Sequence, residues 1–255
     1  MIHNFSFENQ KAYLKKQAAS MSRHELVAFI RSAAEKAGVE KFREAAAKEM
    51  IRITRPTDVI PDVYGEYREI ARDGIQFLLS NFSPDRLAEL IADQLLMDEA
   101  VSVEERLIRL AGQIPTLHKL GQIIARNRNV EPSFRKWLIR LENDLNGSDI
   151  AAVRKNIETE IGGFLRAFSI RIDDKILAEA SVGAVVAFTW LKPDTGEREN
   201  GVFKTLRPGI KAYLDEELDL LDETAIFFEK NRERYPLKDF RFIETFRDIK
   251  AALQK

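Results

Sequence analysis

Up to about residue 165, apolar positions recur at helical spacing. Leu26, Phe29, Ile30, Ala33 and Ala37 share one face of a helical turn and predict an amphipathic helix lying on a core. Ser22 and Glu25 stand ahead of them as a capping box, in which the hydroxyl accepts from an early amide and the carboxylate reaches back. Ser83, Pro84 and Asp85 mark another start, with serine at the cap, proline in the first turn and an acid against the helix dipole. Leu87, Leu90, Ile91 and Leu95 form its buried stripe. Ser102 with Glu105 opens the segment leading to PTLHKLGQIIARN, residues 115–127. Here Lys119, Gln122 and Arg126 form a polar stripe, and Ile114, Leu117, Gly121 and Ile124 an apolar one. RPTDVIPD (55–62) holds two prolines that disfavour helix before them and reads as a bend. Asn146, Gly147 and Ser148 separate two further helices.

The pattern changes near Phe168. VGAVVAFTWL (182–191) is rich in β-branched and aromatic residues and predicts a strand buried on both faces. A polar turn follows, and GVFKTL (201–206) completes a hairpin. After Arg207-Pro208-Gly209, a long helix places Leu214, Leu218, Leu221, Ala225 and Phe228 on one stripe. Its acidic first half (Asp215, Glu216, Glu217, Asp219, Asp222, Glu223) reads as a solvated face suited to a helix N-terminus. A last helix starts near Asp239. These elements predict a mostly α-helical α+β fold: a helical N-terminal region, a small antiparallel sheet, and further helices.

Composition narrows the function. Lys and Arg number 40 against 41 Asp and Glu, so no global field draws the chain to nucleic acid. The absence of cysteine excludes disulfides and thiol catalysis and fits a reducing, cytoplasmic compartment. His3, His24 and His118 are scattered and offer no paired ligand spacing for a metal. The first residues carry no secretory signal, and the most apolar run, Val182 to Leu191, is about half the length that crosses a bilayer as a helix.

Two features carry candidate chemistry. On a strand, Lys204 shares a face with Val202 and Leu206, expected to be a packing face. A lysine there must snorkel to water, find a carboxylate or meet an anionic ligand. Ahead of the hairpin, Ala178-Glu179-Ala180-Ser181-Val182-Gly183 is dominated by small residues that let backbone amides approach an anion. By itself it reads better as a tight loop with no ligand. Together they give loop, strand, turn and lysine strand, the order by which a kinase N-lobe holds ATP phosphates.

With these residues in view the chain resembles the UbiB (AarF-type) atypical kinase-like family. Pro115, Lys119, Gly121 and Gln122 are similar to its Lys-x-Gly-Gln motif; Ala178, Ala180, Ser181 and Gly183 resemble its alanine-rich loop; VFKTLRPGI (202–210) resembles its lysine strand. The resemblance implies a helical N-terminal region (1–110), a helical extension with the Lys-x-Gly-Gln motif (111–165) and a partial kinase-like N-lobe (166–255). It implies ATP with Mg2+ as cofactor, Lys204 and residues 178–183 around the phosphates, and Lys119 and Gln122 projecting into the site to block protein substrates. It further implies an ATPase supporting quinone or isoprenoid-lipid metabolism, with ATP or ADP, a lipid or peripheral membrane surface and quinone-pathway proteins as partners. The alternative is a non-catalytic helical interaction module. Glu179 stands where the family carries alanine, and a carboxylate beside a triphosphate repels it unless a cation intervenes. The Asp-Phe-Arg at 239–241 and the Glu-Leu-Asp at 217–219 lie too close behind Lys204 to be the family's metal and acidic motifs. The catalytic lobe is expected beyond residue 255, so these residues alone are expected to be inactive.

Overall fold

The computed structural model describes residues 20–143, 148–179, 182–237 and 239–254. The Ser22 capping box forms: its Oγ accepts from the Glu25 amide at 3.4 Å, and Glu25 Oε2 accepts from the Ser22 amide at 2.8 Å. It opens α1 (Arg23–Ala37), which ends at Gly38 with φ 89° and turns directly into α2 (Val39–Thr54). The face that α1 buries is Leu26, Val27, Ile30 and Ala34. It is rotated from the expected stripe because α1 packs against α4 as well as α2. The predicted bend at 55–62 leads through a 3-10 turn to α3 (Arg68–Asn81), then α4 (Pro84–Leu95) and α5 (Val103–Gly112). Leu26, Phe42, Met50, Leu79, Phe82, Leu87, Ile91 and Ile114 form one core across this bundle, and Leu220 from far along the chain joins it.

The bundle continues with α6 (Pro115–Arg126), α7 (Pro132–Asn143) and α8 (Ile150–Ala167), the last kinked at Ile161. The expected hairpin then acquires a strand on its other side. β1 (Arg171–Glu179), β2 (Gly183–Leu191) and β3 (Arg198–Leu206) form an antiparallel sheet in that order. β1 escapes the sequence pattern because its register shifts between Ile172 and Ile176 and again before Ala178, which destroys the two-residue alternation. One face of the sheet, with Ala184 and Val186, packs on Val153 and Ile157 of α8. The other face is open, so β2 is not buried on both faces: Leu177, Val202 and Leu206 are exposed there.

Helix α9 (Ile210–Lys230) starts at Gly209, φ 74°, and packs on α3, α6 and α10 (Phe242–Leu253). Leu218, Leu221, Ala225 and Phe228 are buried as the stripe predicts. The acidic half is not uniformly solvated, however, because Glu217 is completely buried. The fold is therefore α+β and mostly helical. Among the described residues no helix is long and apolar enough to cross a membrane.

Candidate functional site

Lys204 lies on the open face of the sheet. The expectation that Val202 and Leu206 mark a packing face is reversed, since Phe203 is the residue that turns to α8. In the register Lys204 pairs with Val185, and Val185 pairs on its other side with Ala178. Lys204 Cε lies 3.8 Å from where a Cβ on Gly183 would sit, and the Thr205 carbonyl oxygen 3.3 Å from it. A side chain at 183 would crowd the Thr205 carbonyl and make only ordinary contact with the lysine stem, which passes beside Gly183 at the start of β2. Lys204 makes no hydrogen bond or ion pair among the described residues. Of the routes open to it, a carboxylate partner is not taken. The result is an ammonium standing between the exposed apolar side chains of Val202 and Leu206 (60% and 47% exposed).

The small-residue segment is shorter than expected as a loop. Ala178 and Glu179 close β1 and Gly183 opens β2; Ala180 and Ser181 lie outside the described residues. Glu179 accepts from the Ser148 amide at 3.0 Å, just ahead of α8. Its carboxylate is therefore occupied by a donor of this chain.

The Lys-x-Gly-Gln helix, α6, is held elsewhere. Lys119 Nζ donates to the Leu253 carbonyl oxygen at the end of α10, where a cation offsets the partial negative charge of a helix C-terminus. Gly121 is buried, Gln122 half-buried and Arg126 exposed. The structure brings Ala178, Gly183 and Lys204 together on three adjoining strands, and it bonds Lys119 to α10.

One cluster was not anticipated from sequence. Arg86 of α4 is 2% exposed and donates to both Glu216 Oε2 (3.0 Å) and Glu217. Its guanidinium lies 3.9 Å from the Phe82 ring centroid and 4.7 Å from that of Tyr213. Glu217 also accepts from the Thr116 amide at 2.6 Å, in the first turn of α6. Burial pushes the Glu217 carboxyl above its usual range, and Arg86 and the Thr116 donors pull it back. The signal was present: Arg86 falls four residues after Phe82 and four before Leu90, and Glu217 falls between Leu214 and Leu221 on the stripe. Beside this cluster a cleft of about 450 Å3, lined by Gln113, Ser148, Arg207 and Tyr213 among others, separates the bundle from the start of α9. Lys204 is not part of it.

The chain is similar to known proteins over about half of its length. The chain is 31% identical over 153 residues to a probable protein kinase UbiB of Xanthomonas campestris, covering 58% of this chain and 27% of that protein. It is 30% identical over 112 residues to the one of Haemophilus ducreyi, 44% of this chain and 21% of the relative. The chain is a relative of the UbiB-type atypical kinases. A third relative, the probable protein kinase UbiB of Shewanella woodyi, is 29% identical over 119 residues. The matches span about a quarter of these UbiB relatives' own length. No family model and no solved structure matches the chain.

The open sheet face fits part of a nucleotide. An apolar plate suits a base, and an ammonium over a glycine at a tight turn suits phosphate oxygens. The metal is not served in the same way: among the described residues no group of three His, Asp or Glu is placed to hold an ion.

Proposed function

We propose that the chain is the nucleotide-binding part of a UbiB-type kinase-like ATPase, with a helical region (1–110), a Lys-x-Gly-Gln extension (111–165) and a partial N-lobe (166–255). The observation that carries this reading is Lys204, unpartnered on an open apolar sheet face and lying over Gly183. In this role Lys204 neutralises phosphate charge, and the small residues Ala178, Ala180, Ser181 and Gly183 would let backbone amides approach the same oxygens. ATP would supply the phosphoryl group, and a bound Mg2+ would offset phosphate charge; of the described residues, Lys204 and Gly183 suit the phosphates and Val202 and Leu206 the base. Glu179 is tied to the Ser148 amide just ahead of α8, so its carboxylate is engaged within this chain. Lys119, Gly121 and Gln122 would act as the element that blocks protein substrates at the site. Support of quinone or isoprenoid-lipid metabolism, contact with a lipid surface and a cytoplasmic location belong to the same reading.

A titration of the chain with Mg·ATP, read by calorimetry and thermal shift, tests it. Lys204→Met should abolish the nucleotide-dependent rise in melting temperature and leave unliganded stability within about 0.5 kcal/mol, because the side chain is exposed. Equal nucleotide response in the two proteins would sink the reading. Lys119 favours the second one, a non-catalytic interaction module, because it is engaged by α10. A large loss of unliganded stability in Lys204→Met would support that alternative.

A further inference from the structure

Two helices of the bundle begin with proline and lack a side-chain cap of their own. α4 opens at Pro84 behind Ser83, and α6 at Pro115 behind Ile114; neither preceding residue makes a capping side-chain bond. First-turn amides need acceptors. Both helices receive one from α9: Glu216 Oε1 accepts from the Ser83 amide at 2.6 Å, and Glu217 from the Thr116 amide at 2.6 Å. Arg86 ties the two carboxylates together and donates as well to the Tyr213 and Gln113 carbonyls, at 3.3 and 3.4 Å. The helix that offers these carboxylates is joined to the Lys204 strand by only Arg207, Pro208 and Gly209. Glu217 therefore stands one rigid segment away from Lys204 and in direct contact with the Lys-x-Gly-Gln helix.

We propose that Glu217 is a positioning residue for the nucleotide site: it fixes α6 against α9 and so sets where Lys119 and Gln122 stand relative to the Lys204 strand. This rests on the nucleotide reading given above. Glu217 touches no ligand. It acts through the first turn of α6, whose acceptor it is, and through Arg86, whose charge it neutralises. Releasing it loosens α6 without disturbing the β2–β3 ladder, and a site built from both pieces loses its preorganisation.

The test compares the full chain with Glu217→Gln and with the milder Arg86→Lys, which keeps the charge and loses the planar fork. Leu79→Ala, a truncation of a fully buried α3 residue, serves as a control that is destabilised while Arg86, Glu216 and Glu217 are all kept. Hydrogen exchange should show Thr116 and the following α6 amides losing at least tenfold protection in Glu217→Gln, with β2 and β3 amides unchanged. Mg·ADP affinity should fall at least fivefold in Glu217→Gln, by less in Arg86→Lys, and by under twofold in Leu79→Ala. Unchanged Thr116 protection overturns the proposal, as does an affinity loss no larger than that of Leu79→Ala. If the unsubstituted chain takes up no Mg·ADP, the nucleotide reading fails by itself, and the exchange arm still decides whether Glu217 positions α6.

Discussion

Arg86 places its guanidinium where almost no water reaches it. That is tolerable only because two carboxylates and two carbonyls surround the guanidinium and aromatic rings lie near it. Arg86→Met should therefore cost about 3–5 kcal/mol in urea unfolding, since it strands Glu217 unpaired in the core. Adding Glu217→Leu should restore much of the loss, which a double-mutant cycle measures. Residues of this kind are hard to read from sequence. An arginine or glutamate on an apolar stripe can be recognised, but its partner, here 131 residues away, cannot. Lys204 was recognised and its face mistaken, because Val202 and Leu206 look like core residues and nothing in their spacing reveals that the face is open.

Helices were legible where their signals are local. Ser22 and Glu25 satisfy each other within four residues, so Ser22→Ala should lower stability by about 1 kcal/mol and raise exchange in the first turn of α1. Glu131 does comparable work ahead of Pro132, accepting from the Ser133 hydroxyl and from the Phe134 and Ser133 amides, and those donors, the hydroxyl foremost, hold its carboxyl below the usual range. The starts of α4 and α6 were visible in their prolines, but their acceptors sit on another element and were read as a solvated acidic face. β1 is hidden for a different reason: Ile172 and Ile176, which both pack toward α8, lie four residues apart, a spacing that suits a helix as well as a strand.

At the scale of the whole molecule, two phenols pin distant segments together. Tyr213 of α9 donates to Glu89 of α4 at 2.6 Å, and Tyr235, after α9, donates to Asp73 of α3 at 3.1 Å. Burial and the adjacent carboxylates push each phenol up to about 12. A raised folded value means the native state holds the proton longer, so this stabilisation is complete below about pH 10 and is lost as pH rises through about 12. Alkaline unfolding followed by circular dichroism should thus shift to higher pH relative to neutral stability in Tyr213→Phe and Tyr235→Phe, each of which removes one ionisation. The mostly helical α+β class follows from periodicity alone; the joining of the halves does not, because it rests on contacts between residues more than 100 apart.

Those separations have a consequence during synthesis. Glu216 follows Ser83 by 133 positions and Glu217 follows Thr116 by 101. At a ribosomal pace of about 5–20 residues per second, the two helix starts are synthesised on the order of 5–25 s before the carboxylates that close them. Throughout that interval the nascent bundle carries two unclosed helix ends, and they are closed only when the segment beyond the lysine strand arrives.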